Sequence, residues 1–382
     1  MRVLVVDDTI VFRKIISDAL EEIPGVEVVG KAGNGKMALV RIKDLHPDII
    51  TLDIEMPEMN GIEVLEVIKR EKIDVGVIVL SAVTVKGGDM TVKALQLGAF
   101  DFITKPESGT VAENRIAIID MLTPIISGWN QKNKQKIKQE KSHTVKPVSS
   151  QSVISGNRPV YGAKAAAYTP SSLVDLGTYI HKIPFLKKPE IVVIGVSTGG
   201  PAALGDMLPK ISADIGVPIL IVQHMPPLFT QSLAKSLNNK CQINVKEAQE
   251  GEKLVPGTAY IAPGGKQMKI SPTAVGNNHI IRITDDPPEN NCKPAVDYMF
   301  RSVVSHFPGK ITAVVMTGMG SDGTIGMRLI KRHGGINIVQ DESSCVVYGM
   351  PMEVVKAGAA DLVLPLDMIA PAIEETLQGA VG

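Results

Sequence analysis

Residues 191–204 read IVVIGVSTGGPAAL. An apolar run of strand length, Ile191–Val196, meets a glycine-rich turn, and Pro201 then opens a stretch with helical spacing. Strand, tight turn and helix in that order are one α/β unit, and the unbroken apolar run suits a parallel strand covered on both faces. The same rhythm continues downstream. Pro218–Val222, Ala259–Ala262, Ile311–Met316, Ile336–Val339 and Leu362–Leu364 read as strands, and Pro201–Leu208, Leu228–Leu237, Ala295–His306 and Gly326–Arg332 as helices. Residues 271–292, polar and Pro-rich, read as a loop with a short hairpin.

Upstream, residues 1–120 carry the rhythm a first time. Their apolar runs are Val3–Val6, Val26–Val29, Ile49–Leu52, Val77–Leu80 and Phe102–Ile103, and Val11–Ile23 has helical apolar spacing. Five strands alternating with helices predict a doubly wound, five-strand parallel sheet. Between the two halves the composition changes. Residues 127–187 hold ten Lys/Arg against two acidic residues, with Ser, Gln, Asn and Pro throughout. The expected division is α/β residues 1–120, a basic flexible linker over 121–187, and a mostly parallel α/β unit over 188–382.

Composition narrows the function classes. The formal net charge is zero, so no basic excess advertises nucleic acid or an anionic membrane. No apolar run approaches the roughly 20 residues needed to span a bilayer, and the start, MRVLVVDDTI, lacks the marks of a signal peptide. Cys241, Cys292 and Cys345 are scattered, with no CxxC spacing. These features point to a reduced, cytoplasmic, soluble protein.

In the first half, Asp7 and Asp8 follow the first strand and Asp53 ends the third. The carboxyl ends of parallel strands share one rim, where ligands bind. Three carboxylates there repel one another unless a hard cation intervenes, and Mg²⁺ suits such oxygen donors. Ser81 ends the fourth strand and offers a hydroxyl. Lys105 ends the fifth and offers a cation for a phosphoryl oxygen, and a cis Lys105–Pro106 bond would aim it inward. Taken singly, such residues also read as helix caps and surface charges. Together, VVDD, TLDIEMPEMNG, LSA and GAFDFITKP resemble the receiver domain of two-component response regulators. The resemblance implies Asp53 as phosphoacceptor, Mg²⁺ on Asp7, Asp8, Asp53 and the Glu55 carbonyl, and Ser81 and Phe102 as the switch. Phe102 departs from the tyrosine often found at its position.

In the second half, Gly195-Val-Ser197-Thr-Gly199 matches the G-x-S-x-G nucleophile pattern, and it also reads as a phosphate loop or a plain turn. A nucleophilic serine needs a base. His224 follows the strand PILIVQ directly, whereas His46 lies in the first half, His143 and His181 in the linker, His279 in a polar loop, and His306 and His333 at helix ends. The base needs an orienting carboxylate. Asp322 sits in a glycine-rich turn after Ile311–Met316, with Asp341 and Asp286 as rivals. The chain order Ser…His…Asp differs from the Ser…Asp…His order of α/β-hydrolases.

GVSTGG, QHMP and TGMGSDG together resemble the chemotaxis protein-glutamate methylesterases, the CheB family. The resemblance implies Ser197 as nucleophile, His224 as base, Asp322 as orienter, and an oxyanion hole using the Met319 backbone with Thr198 beside the serine. It implies methylated chemoreceptors as substrates, a chemotaxis histidine kinase as phosphodonor, glutamine deamidation as a second activity, and no cofactor for the esterase. Two other classes compete with this reading. A DNA-binding output would show a helix-turn-helix and a basic patch, but residues 188–382 hold 16 Lys/Arg against 18 Asp/Glu. A nucleotide-binding loop would end in Lys-Ser/Thr, which GVSTGG lacks.

Overall fold

The apolar runs of the first half form one sheet. β1 (Arg2–Val6), β2 (Glu27–Ala32), β3 (Ile49–Asp53), β4 (Gly76–Ser81) and β5 (Asp101–Thr104) lie in the order β2-β1-β3-β4-β5, all parallel. Helices α1 (Ile10–Glu21), α2 (Gly35–Leu45), α3 (Gly61–Glu71), α4 (Val85–Leu97) and α5 (Val111–Ser142) connect and cover it. Local chemistry sets several starts. Asn34 and Thr84 accept the Met37 and Gly87 N–H groups, and Asn60 forms a reciprocal capping box with Glu63. In this computed structural model the described residues are 1–106, 108–142, 169, 173–181, 187–273 and 279–378.

The second half builds a larger sheet from β6 (Ile191–Val196), β7 (Ile219–Gln223), β8 (Asn244–Glu247), β9 (Thr258–Ile261), β12 (Ile311–Val315), β13 (Ile336–Gln340) and β14 (Leu362–Leu364). Its order is β14-β13-β12-β6-β7-β9-β8, with every neighbouring pair parallel. The hairpin β10 (Gln267–Pro272) with β11 (His279–Thr284) stands apart, spanning much of the stretch read as a loop with a short hairpin. The helices are α6 (Leu173–His181), α7 (Gly200–Met207), α8 (Phe229–Asn238), α9 (Val296–His306), α10 (Thr324–Arg332), α11 (Met350–Lys356) and α12 (Leu366–Gln378). The β6 and β12 strands are buried along their whole length, as their unbroken apolar runs require.

The order of strands positions both sites. In the first sheet the winding reverses between β1 and β3, so Asp7, Asp8 and Asp53 flank the crevice where the connections part. In the second it reverses between β6 and β12, which places Ser197 beside the turn carrying Asp322. Such switch points are where open parallel sheets bind ligands.

Two expectations need correction. The linker expected over 121–187 is structured at both ends. Helix α5 continues to Ser142, and Leu122, Ile125, Ile126 and Trp129 are buried against the first sheet. The Trp129 ring meets Phe100 edge-on, with centroids 5.0 Å apart. Near its other end α6 buries Leu176 and Ile180 in the core of the second half. Averaging over the lysine-rich tail of α5 conceals these apolar positions. The middle of that stretch, including His143, lies outside the described residues. Second, Lys105–Pro106 is not cis. Among the described residues only Lys293–Pro294 is.

Candidate active site

Ser197 and His224 are brought side by side by sheet register. Val196 pairs with Gln223 across β6 and β7, so the next residue on each strand is Ser197 and His224. The His224 N–H donates to the Val196 carbonyl at 3.1 Å, and Ser197 N–H donates to Thr317 O, just past β12, at 3.0 Å. Gln223 ties the two ends together by donating to Ser197 O at 3.0 Å and His224 O at 3.3 Å. Nothing in the sequence marks that role for Gln223, which reads as the last residue of a strand.

Asp322 is the most heavily bonded carboxylate of the site. Its Oδ2 accepts from His224 Nε2 at 2.8 Å and from Val296 N–H at 2.7 Å. Its Oδ1 accepts from Asn290 Nδ2 at 2.9 Å and from the Asp297 and Gly323 N–H groups, each at 3.0 Å. Val296 and Asp297 open α9, so the carboxylate sits on a helix N-terminus, where free N–H groups and the helix dipole favour negative charge. Burial raises the Asp322 pKa, but His224 and these N–H groups outweigh it and hold the group below its ordinary value. Asp322 is therefore ionised and holds a His224 proton on Nε2, which is the tautomer of the ring when neutral. The atom left to accept a proton is Nδ1.

For His224, burial disfavours the imidazolium, yet Asp322 and Cys292 together push its pKa up to about 9, so the ring is neutral, and able to act as a base, mainly toward the alkaline side. Cys292 Sγ lies 3.6 Å from Nδ1. Among the described residues no hydrogen bond joins Ser197 Oγ to His224, so the structure pairs His224 with Asp322 while Ser197 stands adjacent. Gly318 lets the strand-end turn approach the serine, since a Cβ there would fall 2.7 Å from Ser197 Cβ and 2.5 Å from Met350 Sδ. Met319 follows it, with a backbone N–H that makes no hydrogen bond among the described residues.

The rivals are engaged elsewhere. His279 packs on His306 and Phe307, and His333 Nδ1 contacts Leu329 O at 2.9 Å. Asp341 accepts from Ser343 and Ser344, and Asp286 pairs with Tyr298 and Lys269.

The first half reaches this site directly. Thr198 Oγ1 donates to Asp101 Oδ2 at 2.6 Å, and the Phe102 ring packs on Phe229 with centroids 4.8 Å apart. A narrow cleft is lined by Asp101 and Phe102 on one side and by Ser197, Thr198 and His224 on the other. Burial pushes Asp101 up to about 6, against the lowering effect of Thr198 and the Phe102 N–H. The sequence singles out none of Asn290, Cys292, Asp297 and Asp101 for this site. For the first three the signal is the run DDPPENNCKPAVD, too rich in turn formers to place, and Asp101 lies inside GAFDFITKP, which is read for Phe102 and Lys105 alone.

At the other switch point, Asp7, Asp8 and Asp53 bring carboxylate oxygens within 4.8 Å of one another. Lys105 Nζ bridges Asp7 Oδ2 at 2.8 Å and Asp53 Oδ2 at 2.7 Å. Burial pushes Asp53 up to about 6; Lys105 opposes this, and Asp7 and Asp8 add to it. The negative charge is thus incompletely balanced, and the oxygen donors fit a hard dication. Glu55 lines the same cleft with its side chain turned to Lys86, which leaves its carbonyl as the donor it can offer. Ser81 is buried there, with Oγ accepting from Thr91 Oγ1 at 2.6 Å.

Comparison with known proteins places both halves. A family model described as CheB methylesterase matches residues 192–373, and one described as response regulator receiver domain matches residues 3–117. A Desulfotalea psychrophila protein named protein-glutamate methylesterase/protein-glutamine glutaminase is 53% identical over 378 residues, covering 99% of each chain. A Bacillus subtilis protein of the same name is 41% identical over 387 residues, covering 98% of this chain and 97% of that one. The crystal structure of the Thermotoga maritima CheB methylesterase catalytic domain is 41% identical, with a TM-score of 0.48, covering 50% of this chain and 99% of that one.

Proposed function

This chain belongs to the CheB methylesterase family, with a receiver ahead of the methylesterase unit, and we propose that it hydrolyses glutamate γ-methyl esters on chemoreceptors under control of Asp53 phosphorylation. The observation that carries the reading is the His224 Nε2–Asp322 hydrogen bond at the strand end beside Ser197. In this mechanism Nδ1 of His224 takes the Ser197 proton as Oγ attacks the ester carbonyl. The Met319 N–H, with Thr198 alongside, stabilises the oxyanion. The proton on Nδ1 passes to the leaving methoxide, methanol departs, and water activated by the same nitrogen releases the glutamate carboxylate. A glutamine side chain would react likewise with loss of ammonia, as the deamidase names of the relatives suggest.

Regulation follows from the contact between halves. Asp101 and Phe102, which open the short strand that runs into Lys105, press on Thr198 and Phe229, so the receiver covers the cleft over Ser197. Asp7, Asp8, Asp53 and the Glu55 carbonyl would hold Mg²⁺, which supplies charge neutralisation for a phosphoryl group. Phosphorylation adds about −1.5 to −2 charge. Lys105 and Ser81 would turn toward that group, and Phe102, freed by the rearrangement, would withdraw from Phe229. The phosphodonor is a chemotaxis histidine kinase. No described helix is long and apolar enough to cross a membrane, in keeping with a cytoplasmic enzyme acting on receptor tails.

The test is methanol release from methylated receptors, with and without a phosphodonor. Ser197→Ala should abolish release while Asp53 still takes up phosphate. Asp53→Asn should stay at the unphosphorylated rate. Methanol release by Ser197→Ala would end the nucleophile assignment.

A further inference from the structure

One nitrogen of His224 is bonded to Asp322, and the other, the proton acceptor, faces a thiol. Nδ1 lies 3.6 Å from Cys292 Sγ, and His224, Cys292 and Asp322 bring donor atoms within 4.8 Å of one another. A tetrahedral ion bonded to nitrogen at about 2.0–2.1 Å and to sulfur at about 2.3 Å holds those two atoms about 3.5–3.6 Å apart. The observed separation, that of a sulfur–nitrogen hydrogen bond, also fits such an ion. We propose that Cys292 Sγ and His224 Nδ1 form a binding site for a thiophilic divalent cation, Zn²⁺ being the type, and that its occupancy shuts off the esterase.

Three further features support the site. His224 is already oriented for coordination, because its other nitrogen donates to the Asp322 carboxylate, the arrangement that fixes ring and tautomer in histidine metal ligands. Cys292 is held by backbone bonds in both directions with Glu289, at 2.8 and 3.1 Å, and its carbonyl accepts from Gln267. Little ordering is therefore left for the ion to impose. Both side chains are partly exposed, so water can reach the ion and complete its coordination.

The donor set selects the metal. Thiolate and imidazole favour Zn²⁺, Cd²⁺ or Co²⁺ over Mg²⁺. The chain then carries two cation sites of opposite character, hard at Asp7, Asp8 and Asp53 and soft at Cys292 and His224. On binding, the Cys292 thiol loses its proton to solvent, the imidazolium gives up its Nδ1 proton likewise, and the ring is left neutral with hydrogen on Nε2. The ion occupies the Nδ1 lone pair that must otherwise accept the Ser197 proton. This last consequence rests on His224 being the base; the coordination does not.

The experiment separates the two. The full-length protein, stripped with EDTA and desalted, is titrated with Co²⁺. Wild type should develop near-ultraviolet sulfur-to-cobalt charge transfer with intense visible bands of tetrahedral Co²⁺. An all-oxygen receiver site produces no sulfur band. Cys292→Ala, which keeps Cys241 and Cys345, should lose the band, and His224→Gln should weaken it severely. In parallel, Zn²⁺ should inhibit methanol release by wild type and EDTA restore it, with half-inhibition in Cys292→Ala shifted at least tenfold upward. A sulfur band that persists in Cys292→Ala overturns the site. A band that forms normally while Zn²⁺ leaves turnover untouched overturns the inhibition. Loss of metal-free activity in wild type would instead count against the esterase reading, with the cobalt spectrum still reporting on the site.

Discussion

Asp322 accepts from His224 and Asn290 side chains and from three backbone N–H groups. One amide oxygen cannot replace two ionised ones against that many donors, and a carboxamide at this position would have to aim its own N–H at another donor. Asp322→Asn should therefore lower kcat by roughly 10³–10⁴ through the lost Nε2 tautomer, the scale seen for triad orienters. It should also lower the thermal midpoint, because buried donors are left unpaired. Wild-type kcat in that variant would mean that Asp322 does not orient the base. The residue scale is also where the sequence was most and least legible. Ser197, His224 and Asp322 each close a buried strand or its turn, so apolar runs located them. Asn290, Cys292 and Asp297 come from a loop and a helix start that no periodicity marks, and they reach the site across 25 to 68 residues.

Elements show the same division. Parallel strands buried on both faces declare themselves as apolar runs, and nearly all of those runs form strands within a residue or two of their expected ends. Helix α5 was cut short because its composition changes halfway along. Pro124 interrupts it and the lysine-rich stretch follows, yet Trp129 closes the core under Phe100. The fit there is close: a Cβ on Gly76 would meet the Trp129 ring at 2.7 Å. Trp129→Ala should thus open a cavity beneath β3 and β4 and destabilise the receiver by about 3–5 kcal/mol. Chemical denaturation of the full chain should show this as an earlier transition of the receiver. An unshifted transition would mean that α5 past residue 120 is only a spacer, as composition suggested.

At the scale of the whole molecule, what matters is how the receiver sits on the esterase. Asp89 pairs with Lys235 at 3.2 Å, Gln96 accepts from Ser236 and Lys240, and Phe102 packs on Phe229. The pivotal contact is Asp101, a half-buried carboxylate packed against Thr198 with no cation paired to it among the described residues. Its pKa stands at about 6 in the docked state against an ordinary 3.8, because burial disfavours its charge. Below about pH 4 the group is protonated whether the halves touch or not, and docking carries no penalty. Between there and about 6 the docked state keeps a proton that the undocked state releases. Above that range both are ionised and docking bears the full cost of the buried charge. Docking should therefore weaken as pH rises from 4 to 6, and phosphorylation then opens an interface already loosened at neutral pH. Asp101→Asn supplies the neutral form at every pH, with Oδ1 still accepting from Phe102 N–H and Nδ2 able to donate to Thr198 Oγ1. The unphosphorylated variant should be several-fold less active than wild type at pH 7.5, with the gap narrowing below pH 6 and closing toward pH 4. Asp53, also near 6, titrates in this window in both proteins, so the variant-to-wild-type ratio isolates Asp101. A ratio that stays flat across the range would mean that the Asp101 carboxylate does not set how tightly the receiver closes the site.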